Sequence, residues 1–435
     1  MSRQLLGVAV ATALAVTLTG CGSGGSSSDD ALQIWIRQAP DSDSAKTAKK
    51  LADAFTKASG VKTKVVALFD DFETKLQQQA AQKKLPDIVI NDTAQLGNMH
   101  TQGWLREVDM NAMAGHDKLS ETALKAAQGS DGKYYGLPFS AQSFALIIRK
   151  DWREKVGMQP PKSWDDLAKL AKAFTEKDPD GNGQADTYGF VAPAGTKRGY
   201  ASWYASSLIY ANGGDFIKAA GGGKFTSTVT DPKTVEAVQF LQDQFCKAKT
   251  VNPGAVSNDT TVTHEVFEKG QGGIYLVGPY VLARFVKSVG TDKLEVDPVP
   301  NGPSGGPGTL GEGENVYLMA GSKNEDGQKK FAEYAVSADG QKIGMNKDAN
   351  GAIVRLPVNT AVDLAGERSD PRWKVFQDSY AHAVYAPPVP NWAPIRQDSA
   401  DAFNAVWADC SADVKTKMGE LNTKLTQELQ SQKAS

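Results

Sequence analysis

The chain has 435 residues, 40% of them hydrophobic and 23% charged, with a formal net charge of -2. That length exceeds what one core normally holds, so two domains are the default, and the balanced charge argues against a nucleic-acid or anionic-membrane surface. No block of Lys/Arg, no heptad array and no repeat of solenoid length appears in the sequence.

At the N-terminus, Arg3 precedes an apolar run from Leu5 to Thr17. The run is too short to span a bilayer as a mature helix and has the proportions of a signal-peptide core. It ends in Leu18-Thr19-Gly20-Cys21, which resembles a bacterial lipobox, after which Cys21 would be diacylated. The alternative is an ordinary secretory peptide with a chance cysteine. Residues 1–20 are read as a leader and 21–30 as a flexible Gly/Ser tether, which would leave the protein anchored outside the membrane by lipid alone. Cys246 and Cys410 then form an even pair in an exported chain, either bonded or as two buried thiols.

Strands and helices alternate from there. Leu32–Ile36, Lys64–Leu68 and Asp87–Ile90 read as strands, separated by an amphipathic helix over about 44–59, with Leu51 and Phe55 on one face, and a polar helix over 72–82. This alternation predicts a parallel sheet covered on both faces, with ligands beyond the carboxyl ends of the strands. That rule puts Arg37, Gln38, Phe69, Asp70, Asp71, Asn91 and Asp92 on the ligand side. Ser163 caps a predicted helix through Phe174, and Asp231-Pro232 opens another. Gly221–Gly223 and Asn301–Gly313 read as connectors, about 400–430 as largely helical, and 431–435 as a frayed end.

Asp178, Asp180, Asn182, Gln184 (by its carbonyl) and Asp186 occupy positions 1, 3, 5, 7 and 9 of an EF-hand-like loop with Gly183 at position 6. The spacing can wrap a hard cation such as calcium, yet Gly189 stands where the bidentate Glu belongs, and a metal-free turn is the competing reading. Gly302-Pro303-Ser304-Gly305-Gly306 matches a nucleophile-elbow pattern but lies in a Pro/Gly-rich stretch, not between a strand and a helix. His100, His116, His264 and His382 show no metal-ligand spacing.

One ordered series of segments is more specific. Gly136-Leu137-Pro138-Phe139, Phe144–Asp151, Pro160–Leu167, Asp178–Gly183, Asp186–Phe190, Asn212-Gly213-Gly214, Gly272-Gly273-Ile274, Gly278-Pro279-Tyr280 and Val316–Met319 follow one another along the chain. Their order resembles the family 1 extracellular solute-binding proteins, the group of maltose-binding protein. Ile148-Arg149-Lys150 departs from the family's Tyr-Asn-Lys, and Tyr280 from its Trp.

The resemblance implies an α/β, two-lobed periplasmic-binding-protein-like fold (type II), with the ligand cleft between lobes and three hinge crossings. The crossings are expected near Phe139–Ser143, Gly273–Gly278 and Glu314–Leu318. Lobe 1 would then comprise 31–141 and 278–316, and lobe 2 142–277 and 317–435, with Cys246 and Cys410 both in lobe 2. It implies aromatic platforms for sugar C–H faces at Trp203, Tyr280 and Trp392, the last in a rigid Pro-rich loop. Polar partners would be Asp92, Gln142, Arg37, Gln38, Asp70 and Glu312. The implied function is a non-catalytic, monomeric receptor that delivers a sugar or oligosaccharide to an ABC permease and requires no cofactor. A secreted carbohydrate-active hydrolase, or a binding protein for a non-sugar solute, are the alternatives.

Overall fold

The computed structural model describes residues 31–347 and 349–435; the leader, Cys21 and the tether lie outside them. Among the described residues, no helix is long and apolar enough to cross a membrane.

The strands are β1 (Leu32–Arg37), β2 (Thr63–Leu68), β3 (Ile88–Asp92), β4 (Leu137–Ser143), β5 (Ala145–Arg149), β6 (Tyr188–Val191), β7 (Ile217–Gly221), β8 (Lys224–Ser227), β9 (Gly272–Val277), β10 (Leu294–Asp297), β11 (Thr309–Leu318) and β12 (Ala383–Val384). The first sheet has the order β12-β11-β3-β1-β2, with β4 also paired to β11. The second has the order β10-β5-β9-β6, and β7 and β8 form a separate hairpin whose turn is the Gly221–Gly223 connector.

Local chemistry starts the expected elements. Ser42 accepts from the Ala45 amide at 3.1 Å to open the helix Asp43–Ser59, which buries Leu51 and Phe55. Ser163 likewise accepts from Asp166 at 3.1 Å and opens Trp164–Glu176. Asp231 caps Pro232–Cys246, where proline occupies the first turn and its missing N–H costs nothing.

The expected parallel sheet is in fact mixed. β1 pairs in parallel with β2 and β3, but β11 runs antiparallel to β3 and β4. The cause is the route of the chain. β11 arrives from the other lobe at the carboxyl end of β3, setting Glu314 opposite Asp92, and must run down the sheet from there to Leu318 opposite Ile88.

Strand pairing also redraws the lobe boundaries. The first crossing, from β4 through Phe144 into β5, lies just after the expected Phe139–Ser143, which pairs with β11 in the first sheet. The second is not near Gly273–Gly278, because the whole of β9 pairs in the second sheet. Helix Leu282–Val289 then turns the chain back so that β10 adds to β5, which keeps 278–297 in lobe 2. The return crossing lies between β10 and β11, and Glu314–Leu318 is interior to β11. Helices between β11 and β12 stay with lobe 1. Phe331 meets Phe55 edge-on at 5.3 Å, and the Ser143 hydroxyl donates to the Phe376 carbonyl at 2.6 Å. The last crossing follows β12, so lobe 2 regains the chain only at helix Trp392–Ala408, not at 317. Nothing local marks these exchanges, since each depends on which distant strand offers an open edge.

One buried cluster links lobe 1 to a face of the second sheet, and another packs the opposite face against the C-terminal helices. The chain end is not frayed. Ala434 is 2% exposed, and its carbonyl accepts from the Phe225 amide at 2.7 Å. Cys246 and Cys410 form a disulfide that ties the end of helix Pro232–Cys246 to the turn after Trp392–Ala408, with 164 residues of separation. Replacing both cysteines by serine is expected to lower unfolding free energy by about 2–5 kcal/mol. Denaturant unfolding checks this, and an unchanged midpoint would refute it.

Candidate functional site

A cavity of about 710 Å³ separates the carboxyl ends of the first sheet from lobe 2. All nine residues singled out as ligand contacts line it: Arg37, Gln38, Asp70, Asp92 and Glu312 from the first-sheet side, Gln142 at the crossing, and Trp203, Tyr280 and Trp392 from lobe 2. The carboxyl-end rule reaches too far at two positions. Asn91 is buried and turns its Oδ1 to the Asp92 amide beside a separate hollow of about 240 Å³, and Asp71 pairs with Lys75 at 2.9 Å.

Glu312 is the centre of the floor. Register sets it opposite Gln142 where β4 and β11 meet. Its carboxylate accepts from Trp203 Nε1 at 2.9 Å and from Gln142 Nε2 at 3.0 Å. Burial, reinforced by the nearby Asp92 carboxylate, pushes the Glu312 carboxyl up to about 7, against the opposing pull of Arg396 and the two hydrogen bonds. Gln142 is 8% exposed, and its Oε1 has no hydrogen-bond partner, which leaves a buried acceptor at the cleft.

The aromatics differ in how they are held. Trp203 is fixed by Glu312 at its nitrogen and by Phe144 edge-on at 4.8 Å. Tyr280 is 36% exposed, on the short turn after β9. Beneath it, burial pushes the His264 imidazole down to about 4, so that ring is neutral. Trp392 corrects the expectation of a loop platform. It begins a helix, is 9% exposed and packs edge-on against Phe216 at 6.0 Å, so only its rim reaches the cavity.

Charged groups complete the wall. Arg37 holds Asp92 at 3.2 Å and Glu73 at 3.5 Å while covering Phe69 at 4.8 Å. Arg355, absent from the sequence reading, pairs with Glu314 at 2.7 Å. It arrives on an irregular segment with no periodicity to announce it. Arg198 and Arg396 were also missed. Arg198 reaches from lobe 2 to within 5.7 Å of the Phe69 ring, which is a contact across the cleft.

The other chemistry weighed from sequence does not gather here. The Asp178 carboxylate accepts from the amides of Gly181, Asn182 and Gly183 at 3.0–3.1 Å, and the Asn182 side-chain amide donates to Asp180 and Asp186. The Gln184 amide donates to Asn182. Among the described residues, no group of three or more His, Cys, Asp or Glu side chains is arranged to hold a metal ion. Ser304 lies in a loop and donates to Glu236 at 2.9 Å.

A family model described as bacterial extracellular solute-binding protein matches residues 39–342. The diacetylchitobiose-binding protein DasA of Streptomyces coelicolor is 26% identical across 98% of this chain and 100% of its own length. A binding protein of Brucella abortus is 26% identical over 282 residues, 64% of each chain, so the match spans less than two-thirds of that relative. An ABC transporter solute-binding protein of Thermotoga lettingae, solved with α-D-tagatose, has the same fold. Its TM-score is 0.77 at 19% identity, over 92% of this chain and 99% of that one. The architecture is the two-lobed type II binding-protein fold.

Glu312 makes stability depend on pH. Its folded-state value is raised from 4.5 to about 7, so the folded protein holds this proton more tightly than the unfolded chain does. The group therefore favours folding while protonated, and that contribution is lost as pH rises from the unfolded value through the folded one. Glu312→Gln should melt close to the wild type at about pH 5 and gain on it by about pH 8, in ligand-free protein. A difference that does not change with pH would refute the assignment.

Proposed function

Because the chain belongs to the family of bacterial extracellular solute-binding proteins, we propose that it is the substrate-binding component of an ABC importer, and that its solute is a sugar or oligosaccharide. The observation that carries this reading is the row Trp203–Glu312–Gln142 lining one cleft together with Tyr280. A pyranose has apolar C–H faces and a hydroxyl rim. Rings held edge-on present their faces without further ordering, and carboxylate, amide and guanidinium groups satisfy hydroxyls as acceptors and donors.

In this reading no bond of the ligand is broken. The ligand contacts both lobes and shifts the open–closed equilibrium toward the closed form, which a permease accepts. The β4–β5 connection and the two later crossings are the places where the backbone can absorb that motion. Lipid attachment at Cys21 would hold the receptor at the outer face of the membrane, as a monomer needing no cofactor.

A thermal-shift screen against mono- and oligosaccharides, followed by calorimetry, tests the proposal. A bound sugar recovered intact supports it, a consumed sugar means an enzyme, and a response only to non-sugar solutes replaces the sugar. With the responding sugar, Trp203→Ala should weaken binding by about 1.5–3 kcal/mol, from the loss of one buried aromatic face. Unchanged affinity by calorimetry would remove Trp203 from the site.

A further inference from the structure

Ten arginines lie among the described residues. Eight of them hold carboxylates or backbone carbonyls. The guanidinium groups of the other two, Arg198 and Arg396, make no hydrogen bond or ion pair among the described residues, and both line the cleft from lobe 2. Both are half-buried. A half-buried guanidinium with neither a hydrogen bond nor an ion pair is incompletely satisfied, although Arg396 feels the Glu312 charge and Arg198 the Phe69 ring, and this chain otherwise avoids it.

The Arg396 side chain packs against the backbone beside Arg198. Arg198 has φ 56° and ψ 17°, a left-handed conformation that L-residues seldom adopt, and Gly199 follows at φ 74°. A Cβ at Gly199 would lie 2.6 Å from Arg396 Cγ and 3.0 Å from its Nε, so only glycine lets the Arg396 side chain cross the chain there, next to Arg198. Strain of this kind, sited at a cleft, points from geometry to function. Helix Tyr200–Ala211 begins immediately after, with no side-chain cap, and adds its positive end to the same corner.

We infer that Arg198 and Arg396 form an anion subsite of the cleft, and that the solute is an acidic sugar whose carboxylate they bind; this rests on the sugar-receptor reading above. A singly charged carboxylate fits better than a phosphate. Asp70, Asp92 and Glu312 share the cavity, Asp92 is already held by Arg37, and a dianion would meet the remaining negative charge. The uncharged rim of the same sugar would face the unpartnered Gln142 Oε1.

Calorimetry on the purified protein with matched sugars tests this: galactose against galacturonate, glucose against glucuronate and glucose 6-phosphate, and the corresponding disaccharides. The acid is expected to bind at least about tenfold more tightly than its neutral partner. Arg198→Gln and Arg396→Gln should each reduce that ratio about tenfold, and Arg396→Lys should retain part of it. Circular dichroism and unfolding midpoints verify that each variant folds. A neutral sugar bound as well as its acid, or a ratio unmoved by both glutamine variants, overturns the anion subsite and leaves the receptor reading standing. Preference for glucose 6-phosphate over glucuronate overturns the carboxylate. If no member of either series binds, the sugar-receptor reading falls, and the inference with it.

Discussion

The Glu312 carboxylate organises the cleft. It sits where β4 and β11 meet, and in that position it takes a hydrogen bond from Gln142 on one hinge strand and from Trp203 on lobe 2. A half-buried carboxyl with no direct cation is expensive, which is why its proton affinity is raised, and the two donors offset only part of that cost. One group thereby fixes the orientation of an aromatic wall and keeps the amide of Gln142 turned so that its oxygen is left over for a ligand. Pre-set polar geometry of this sort reduces what must be ordered on binding.

The placement follows from topology. Two strands that cross the carboxyl edge of the first sheet, β4 leaving and β11 entering, must pass the mouth of the cleft, so residues on them are shared by both lobes. β4 carries Gln142 there, and β11 carries Glu312 and Glu314. The antiparallel entry of β11 is thus what converts a generic α/β edge into a site. The cross-cleft approach of Arg198 to Phe69 adds a contact from the loop ahead of helix Tyr200–Ala211.

Much of this was legible in the sequence where local chemistry decides. Period and capping located β1 to β3, Asp43–Ser59 and Trp164–Glu176, and the carboxyl-end rule then delivered Arg37, Gln38, Asp70 and Asp92 to the cleft. The same rule overreached at Asn91, because side chains alternate along a strand and its neighbour Asp92 takes the cleft side. What stayed hidden depends on distant partners. Crossings are fixed by which sheet has a free edge, so β10 and the helices between β11 and β12 fall in the lobes opposite to those expected. Arg355, Arg198 and Arg396 come from irregular segments or a helix start, where no period indicates which way a side chain will face. Trp392 could be seen as an aromatic near the site, but its burial against Phe216 belongs to tertiary packing.

The disulfide encloses more than a pair of neighbouring helices. Between Cys246 and Cys410 the chain leaves lobe 2, builds the later part of lobe 1 and returns, so the second and third crossings both lie inside one covalent ring. A single proteolytic nick at either crossing therefore cannot part the two lobes. The cut ends stay joined through the bridge, while β4 continues into β5 outside the ring as an independent covalent connection. The segments most exposed to bending are thus also those where one broken peptide bond matters least to the integrity of the whole.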